Sequence, residues 1–147
     1  MNLPGEFEEY VSKGIIRKCS IDKSRANFLI NEAQNSLDGL HERAELVSIN
    51  DKNANSIIKD CYDILMALVR AKLLLTGYVS AGQFAHEAEI SYLKKAGFSD
   101  NEVSSLNDLR YFRNSVNYYG KILTKEYAEK VLEFTNKIYP KLKAMVK

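Results

Sequence analysis

Apolar residues recur along most of this chain at alternating spacings of three and four, the stripe that a helix turns toward a core. One seam runs through Ala26, Ile30, Ala33, Leu37, Leu40, Ala44 and Val47, with Asp22 placed to cap it. Gly39 lies inside it and costs about 1 kcal/mol relative to Ala, which packing must offset. A second seam, Ile57, Cys61, Ile64, Leu68, Ala71 and Leu75, is widened by Ile58, Leu65, Val69 and Leu73. It is the most apolar stretch, belongs at the centre of the core, and ends at Gly77. A shorter helix follows on Phe84 or Ala85, Ala88, Tyr92 and Ala96, closed by Gly97 with Phe98 folded back on it.

Ser99 and Glu102 fit a capping box, and the helix it opens carries Leu109, Phe112, Val116 and Tyr119 on one side before Gly120 stops it. Thr124 is placed to cap a last helix with the seam Tyr127, Val131, Phe134, Ile138 and Leu142, which Pro140 is expected to bend or end. At the front, residues 3–16 read as a short amphipathic helix on Phe7, Tyr10 and Val11, weakened at its end by Gly14. The polar, cap-rich stretch 48–53 marks a chain reversal. Helices joined by short polar connections pack as antiparallel neighbours. The expected fold is therefore all-α: one domain over residues 1–147, an up-and-down bundle of four to five long helices with a short N-terminal helix, its two longest seams facing each other.

Composition changes this picture little. With 46% hydrophobic and 27% charged residues, the 147-residue chain reads as an ordinary globular domain. The longest apolar run, Ile64 to Leu75, is broken by Arg70 and Lys72 and is too short for a bilayer, so no membrane partner is expected. The N-terminus shows no basic-then-apolar signal pattern, which points to a cytoplasmic protein. Cys19 and Cys61 read as free thiols, Cys61 as a small buried hydrophobe. His86-Glu87 opens like a zinc-protease helix, but Ile90 stands where the second His belongs; no metal and no cofactor are expected. His41 reads as a half-buried packing or hydrogen-bonding residue, and His86 with Glu89 as a surface pair, with Glu87 on another side of that helix. After position 120, seven lysines stand against three glutamates, a balance that keeps an exposed terminal helix soluble.

One cluster has chemical character. On the helix before Gly120, Arg110, Arg113, Asn114 and Asn117 fall within an arc of about 100° on another side from the apolar stripe. Two guanidiniums and two carboxamides make a donor-rich face suited to phosphate oxygens and base edges. The plain alternative is a solvated helix face.

The order of an apolar helix, GYVSAGQFAHEAEISYLKKAGF, a capped turn, LRYFRNSVNYYG and a final helix resembles the HEPN family (higher eukaryotes and prokaryotes nucleotide-binding domains) over approximately Ala26 to Leu142. The resemblance implies a small helical bundle that dimerises with its motif helices facing each other. It also implies either a metal-independent endoribonuclease or the partner of a minimal nucleotidyltransferase in a toxin–antitoxin module. The family's motif is an Arg, often a polar residue, four to six positions, then His. Arg113 takes the Arg position and Asn114 the polar one, which leaves Tyr118 where His is expected, and no His follows position 86. The resemblance thus casts Arg113 and Tyr118 as catalytic and Asn114 as the motif's polar residue, and the polar face adds Arg110 and Asn117 to Asn114 for binding nucleotide or RNA; Tyr118 is also the residue the resemblance would point to as an acceptor of AMP.

Tyrosine's reference pKa of about 10, against about 6.5 for His, makes it a poor base at neutral pH, so binding survives this substitution better than cleavage. In a regular helix Arg113 and Tyr118 point about 140° apart, so they meet only through a distortion or across a dimer. The alternative reading is a non-catalytic homodimeric interaction module whose polar stripe is an interface.

Overall fold

A computed structural model of the protein describes residues 1–119 and 123–147, without the side chains of 116–119. The described residues form an all-α bundle of six helices and one two-stranded sheet. In order these are α1 (Phe7–Ser12), β1 (Ile16–Lys18), α2 (Lys23–Val47), α3 (Ala54–Thr76), β2 (Tyr78–Ser80), α4 (Ala85–Lys95), α5 (Asp100–Tyr119) and α6 (Lys125–Met145). None of the helices is long and apolar enough to cross a membrane.

The most apolar seam is the axis of the fold. Helix α3 buries residues on nearly all sides, among them Ile57, Ile58, Cys61, Ile64, Leu65, Leu68, Val69 and Ala71, and packs against α2, α4, α5 and α6. Its most extensive neighbour is α2, which buries Ala26, Ala33, Leu37 and Leu40, so the two longest seams do face each other. Val47, expected to close the α2 seam, is instead exposed as the last residue of α2, before the Ser48 cap.

The helix ends follow side-chain chemistry. The Asp22 carboxylate accepts from the Arg25 amide at 3.0 Å, and the Thr124 hydroxyl from the Tyr127 amide at 3.3 Å. Ser99 and Glu102 satisfy each other's amides at 2.8 and 3.1 Å, the reciprocal box that starts α5. The turn after α4 places the Phe98 amide on the Leu93 carbonyl at 3.0 Å, with Gly97 at φ +93° and Phe98 buried against the core. Gly120, expected to stop α5, lies outside the described residues.

Three expectations are corrected. The N-terminal helix is confined to Phe7–Ser12, after which the chain turns at Gly14 and runs as β1 antiparallel to β2, pairing Ile16 with Ser80 and Lys18 with Tyr78. Three-residue strands are too short for a period of two to register in the sequence. Of the two effects expected of Pro140, ending the helix does not occur: α6 continues to Met145, with Tyr139 before the proline and Leu142 and Val146 after it held in the core. His41 is exposed rather than half-buried, though it does make a hydrogen bond, 2.7 Å from Asn136 Oδ1.

The sheet also fixes the end of α3. Gly77 adopts φ +84°, its carbonyl accepts from the Cys19 amide at 2.8 Å, and a Cβ there would stand 3.0 Å from the Cys19 carbonyl. Only glycine fits that approach without strain.

Candidate functional site

Helix α5 carries its arginines into a cleft beside the start of α4. Asn107, buried one turn earlier, gives Nδ2–H to the Asn2 carbonyl at 3.0 Å and accepts from Arg110 Nε at 2.9 Å. The N-terminal segment therefore orients Arg110 through Asn107. Arg113 lies over the Tyr62 ring at 5.6 Å, and its Nη2 is 3.6 Å from Asp63 Oδ1. Its Nε is buried and has no hydrogen-bond partner among the described residues. A buried guanidinium N–H without an acceptor is costly, on the order of 1–3 kcal/mol, and rare enough in folded proteins to call for an explanation.

The opposite wall is the N-terminus of α4. No side chain caps it at Phe84, and Gly82 turns the chain just before it at φ +91°. Residues 82–87 together with Arg110, Arg113 and Asn114 line a cavity of about 340 Å³. Two guanidiniums and the positive end of a helix dipole converge there, so its field favours an anion. Glu87 is the one carboxylate in that lining.

His86 joins this wall to the core. Its Nδ1 is 3.2 Å from the hydroxyl of the buried Tyr62. Burial, reinforced by Glu89, pushes the Tyr62 phenol well above its usual range, so it keeps its proton at neutral pH. Burial also lowers the His86 pKa, with Arg70 and Arg113 acting in the same direction against Glu89 and Asp63. The buried Tyr62 hydroxyl has no other hydrogen-bond partner among the described residues, so its proton is assigned to Nδ1 of the neutral imidazole, which leaves the ring proton on Nε2. His86 thus offers a neutral N–H donor.

A second, larger cavity of about 650 Å³ shares only His86 with the first and is lined by Arg25, Arg70, Asp22 and Glu89 beside Leu73, Leu74 and the β2 strand. Its charges are balanced. Arg70 grips the buried Glu89 through two bonds of 2.8 and 3.0 Å, and that pairing, the larger influence on it, raises the Arg70 pKa. The Arg70–Glu89 pair is closed by two short bonds, whereas in the smaller cavity Arg113 meets Asp63 only at 3.6 Å and Arg110 is bonded to the neutral Asn107.

Of the residues singled out from sequence, Arg110, Arg113 and Asn114 come together in one cavity. Asn117, expected to bind, and Tyr118, expected to catalyse, have side chains outside those described. His86 and Glu89 are not a surface pair: Glu89 is 1% exposed and bonded to Arg70, and His86 is half-buried on Tyr62. Glu87 is on another side of the helix from Glu89, as expected, but it faces the cationic cavity. Phe84, a candidate core position, is 51% exposed at that cavity.

Sequence reasoning missed the part played by His86, Tyr62 and Phe84. Tyr62 and Arg70 are two of several polar residues on the most apolar helix, and nothing in the sequence signals their meeting α4, which depends on how the helices pack. Among the described residues no group of three or more His, Cys, Asp or Glu could hold a metal ion. In comparisons with known proteins, no family model, curated protein or solved structure matches this chain.

Proposed function

We propose that this chain is a HEPN-like domain that binds the phosphate of a nucleotide or RNA in the cavity between α4 and α5. Arg110 and Arg113 supply the charge, Asn114 and the Nε2–H of His86 supply neutral donors, and the α4 N-terminus adds its dipole. The observation that carries the reading is the convergence of Arg110 and Arg113 with the uncapped N-terminus of α4 in one cavity. A phosphate oxygen is the complementary group.

Binding is favoured over cleavage. Metal-independent RNA cleavage needs one group to take the 2′-hydroxyl proton and another to protonate the leaving oxygen. Among the described residues of this cavity, His86 is the only imidazole, and its ring proton already sits on the nitrogen not used by Tyr62. As a HEPN-like domain, the chain would work as a homodimer, with RNA or a nucleotidyltransferase as its partner.

The test is titration of wild type and Arg113→Ala with labelled single-stranded RNA in excess chelator, scoring both the shift and cleavage of the label. Binding by wild type that falls at least tenfold in the variant, with unchanged melting temperature, is the expected result. Equal affinity in both would remove the reading. Cleavage by wild type alone would restore the enzyme that the HEPN resemblance implies.

A further inference from the structure

Phe84 is the N-cap residue of α4, a position usually held by a side chain that bonds the first helical amides. Here a large apolar ring stands there, makes no cap, and leaves half of its surface in water. It belongs to the lining of the same cavity as Arg110, Arg113, Asn114 and His86. Beside it the backbone is bare: Gly82 has open space where a side chain would project. An exposed aromatic ring, a cationic cleft and adjacent free volume are the three parts of a site for single-stranded nucleic acid, in which backbone charge is neutralised while an unpaired base lies on a ring.

We infer that Phe84 is a stacking platform for one unpaired base, so that the cavity takes single-stranded RNA, with a phosphate on Arg110 and Arg113 and the neighbouring base on Phe84. This rests on the phosphate reading above and narrows it. A base held in a duplex keeps both faces covered by its neighbours, so the platform discriminates against double strands. Stacking is tolerant of base identity, because every base has a π face; the site therefore selects strandedness more than sequence.

The chain contains no tryptophan, so Phe84→Trp places a single indole at the cavity. That variant would be titrated with an adenosine heptamer RNA, with the same RNA annealed to its complement, and with inorganic pyrophosphate. The expected result is quenching of the indole by the single strand and neither by the duplex nor by pyrophosphate. In parallel, Phe84→Ala should weaken single-strand binding about fivefold or more while leaving pyrophosphate affinity and melting temperature unchanged. Phe84→Leu, which keeps apolar bulk without a ring, should behave like Phe84→Ala.

Undiminished RNA affinity in Phe84→Ala, alongside intact pyrophosphate binding, would overturn the stacking inference and leave the phosphate site standing. A change in oligomeric state on Phe84→Ala, measured by sedimentation, would overturn it in favour of Phe84 as a protein contact. Failure of wild type to bind either pyrophosphate or RNA would overturn the phosphate reading itself, and the inference with it.

Discussion

The Tyr62 hydroxyl donates to Nδ1 of His86 at 3.2 Å, linking the centre of the core to the rim of the cationic cavity. The pair explains why a polar phenol can sit on the most apolar helix of the chain. It also sets which nitrogen of His86 faces outward with a proton. Tyr62→Phe keeps the ring beneath Arg113 but removes the donor, and is expected to cost about 1 kcal/mol in chemical denaturation. In the variant, the nitrogen-15 shifts of His86 should change from the single Nε2–H tautomer to a mixture. Unchanged shifts would show that the hydrogen bond does not choose the tautomer.

Glu89 is almost fully buried, whereas the Arg70 side chain is 35% exposed, so the two halves of their ion pair are unequal. Losing the arginine strands a buried carboxylate; losing the glutamate frees a cation that can reach water. Arg70→Met is therefore expected to destabilise by about 3–5 kcal/mol and Glu89→Gln by clearly less. The double variant Arg70→Met, Glu89→Leu should recover most of the loss, since two apolar side chains of similar volume need no partner. Urea unfolding of the three variants tests the ranking.

His86 also gives the fold a pH dependence of predictable sign. Its folded pKa lies below the unfolded value, so between the two the unfolded chain binds the proton and the native chain does not. Stability therefore falls as pH drops from about 6.5 toward the folded pKa, and levels off for this group below it. Melting temperatures from pH 7.5 to 5 should drop more steeply in wild type than in His86→Gln. Parallel curves would mean that the imidazole titrates alike in both states.

The capping box at the start of α5 is a local test of the helix that carries the arginines. Ser99→Ala removes the acceptor for the Glu102 amide and is expected to cost about 1 kcal/mol. Glu102 also receives Lys141 Nζ at 2.7 Å, tying α5 to α6. Glu102→Ala should therefore lower the melting temperature more than Ser99→Ala. A larger effect of Ser99→Ala would mean that the Lys141 contact contributes nothing measurable.

Glycine substitution at the sheet probes the connection to the core. Gly77→Ala forces a Cβ onto φ +84° and to 3.0 Å from the Cys19 carbonyl. A loss of about 1–2 kcal/mol is expected, against a gain of up to about 1 kcal/mol for Gly39→Ala inside α2, where the added methyl meets nothing within 4 Å.

The amino-acid sequence by itself determined the helices, their caps and the ranking of their apolar faces. Asp22, Ser99 with Glu102, and Thr124 act on amides within three residues of themselves, and a seam such as Ile57 to Leu75 is written in a period of 3.6, so both are local and legible. The sequence also placed Arg110, Arg113 and Asn114 on one face, since that follows from helical geometry alone. What tertiary structure decided was everything that joins residues far apart in the chain. Pairing of β1 with β2 joins residues at least sixty positions apart through only three residues on each side, too few to leave a pattern. Likewise, neither Glu89 nor His86 differs from a surface residue until α4 packs on α3 and supplies Arg70 and Tyr62. The environment that makes a carboxylate buried and an imidazole neutral is built from several helices at once, and no single one of them encodes it.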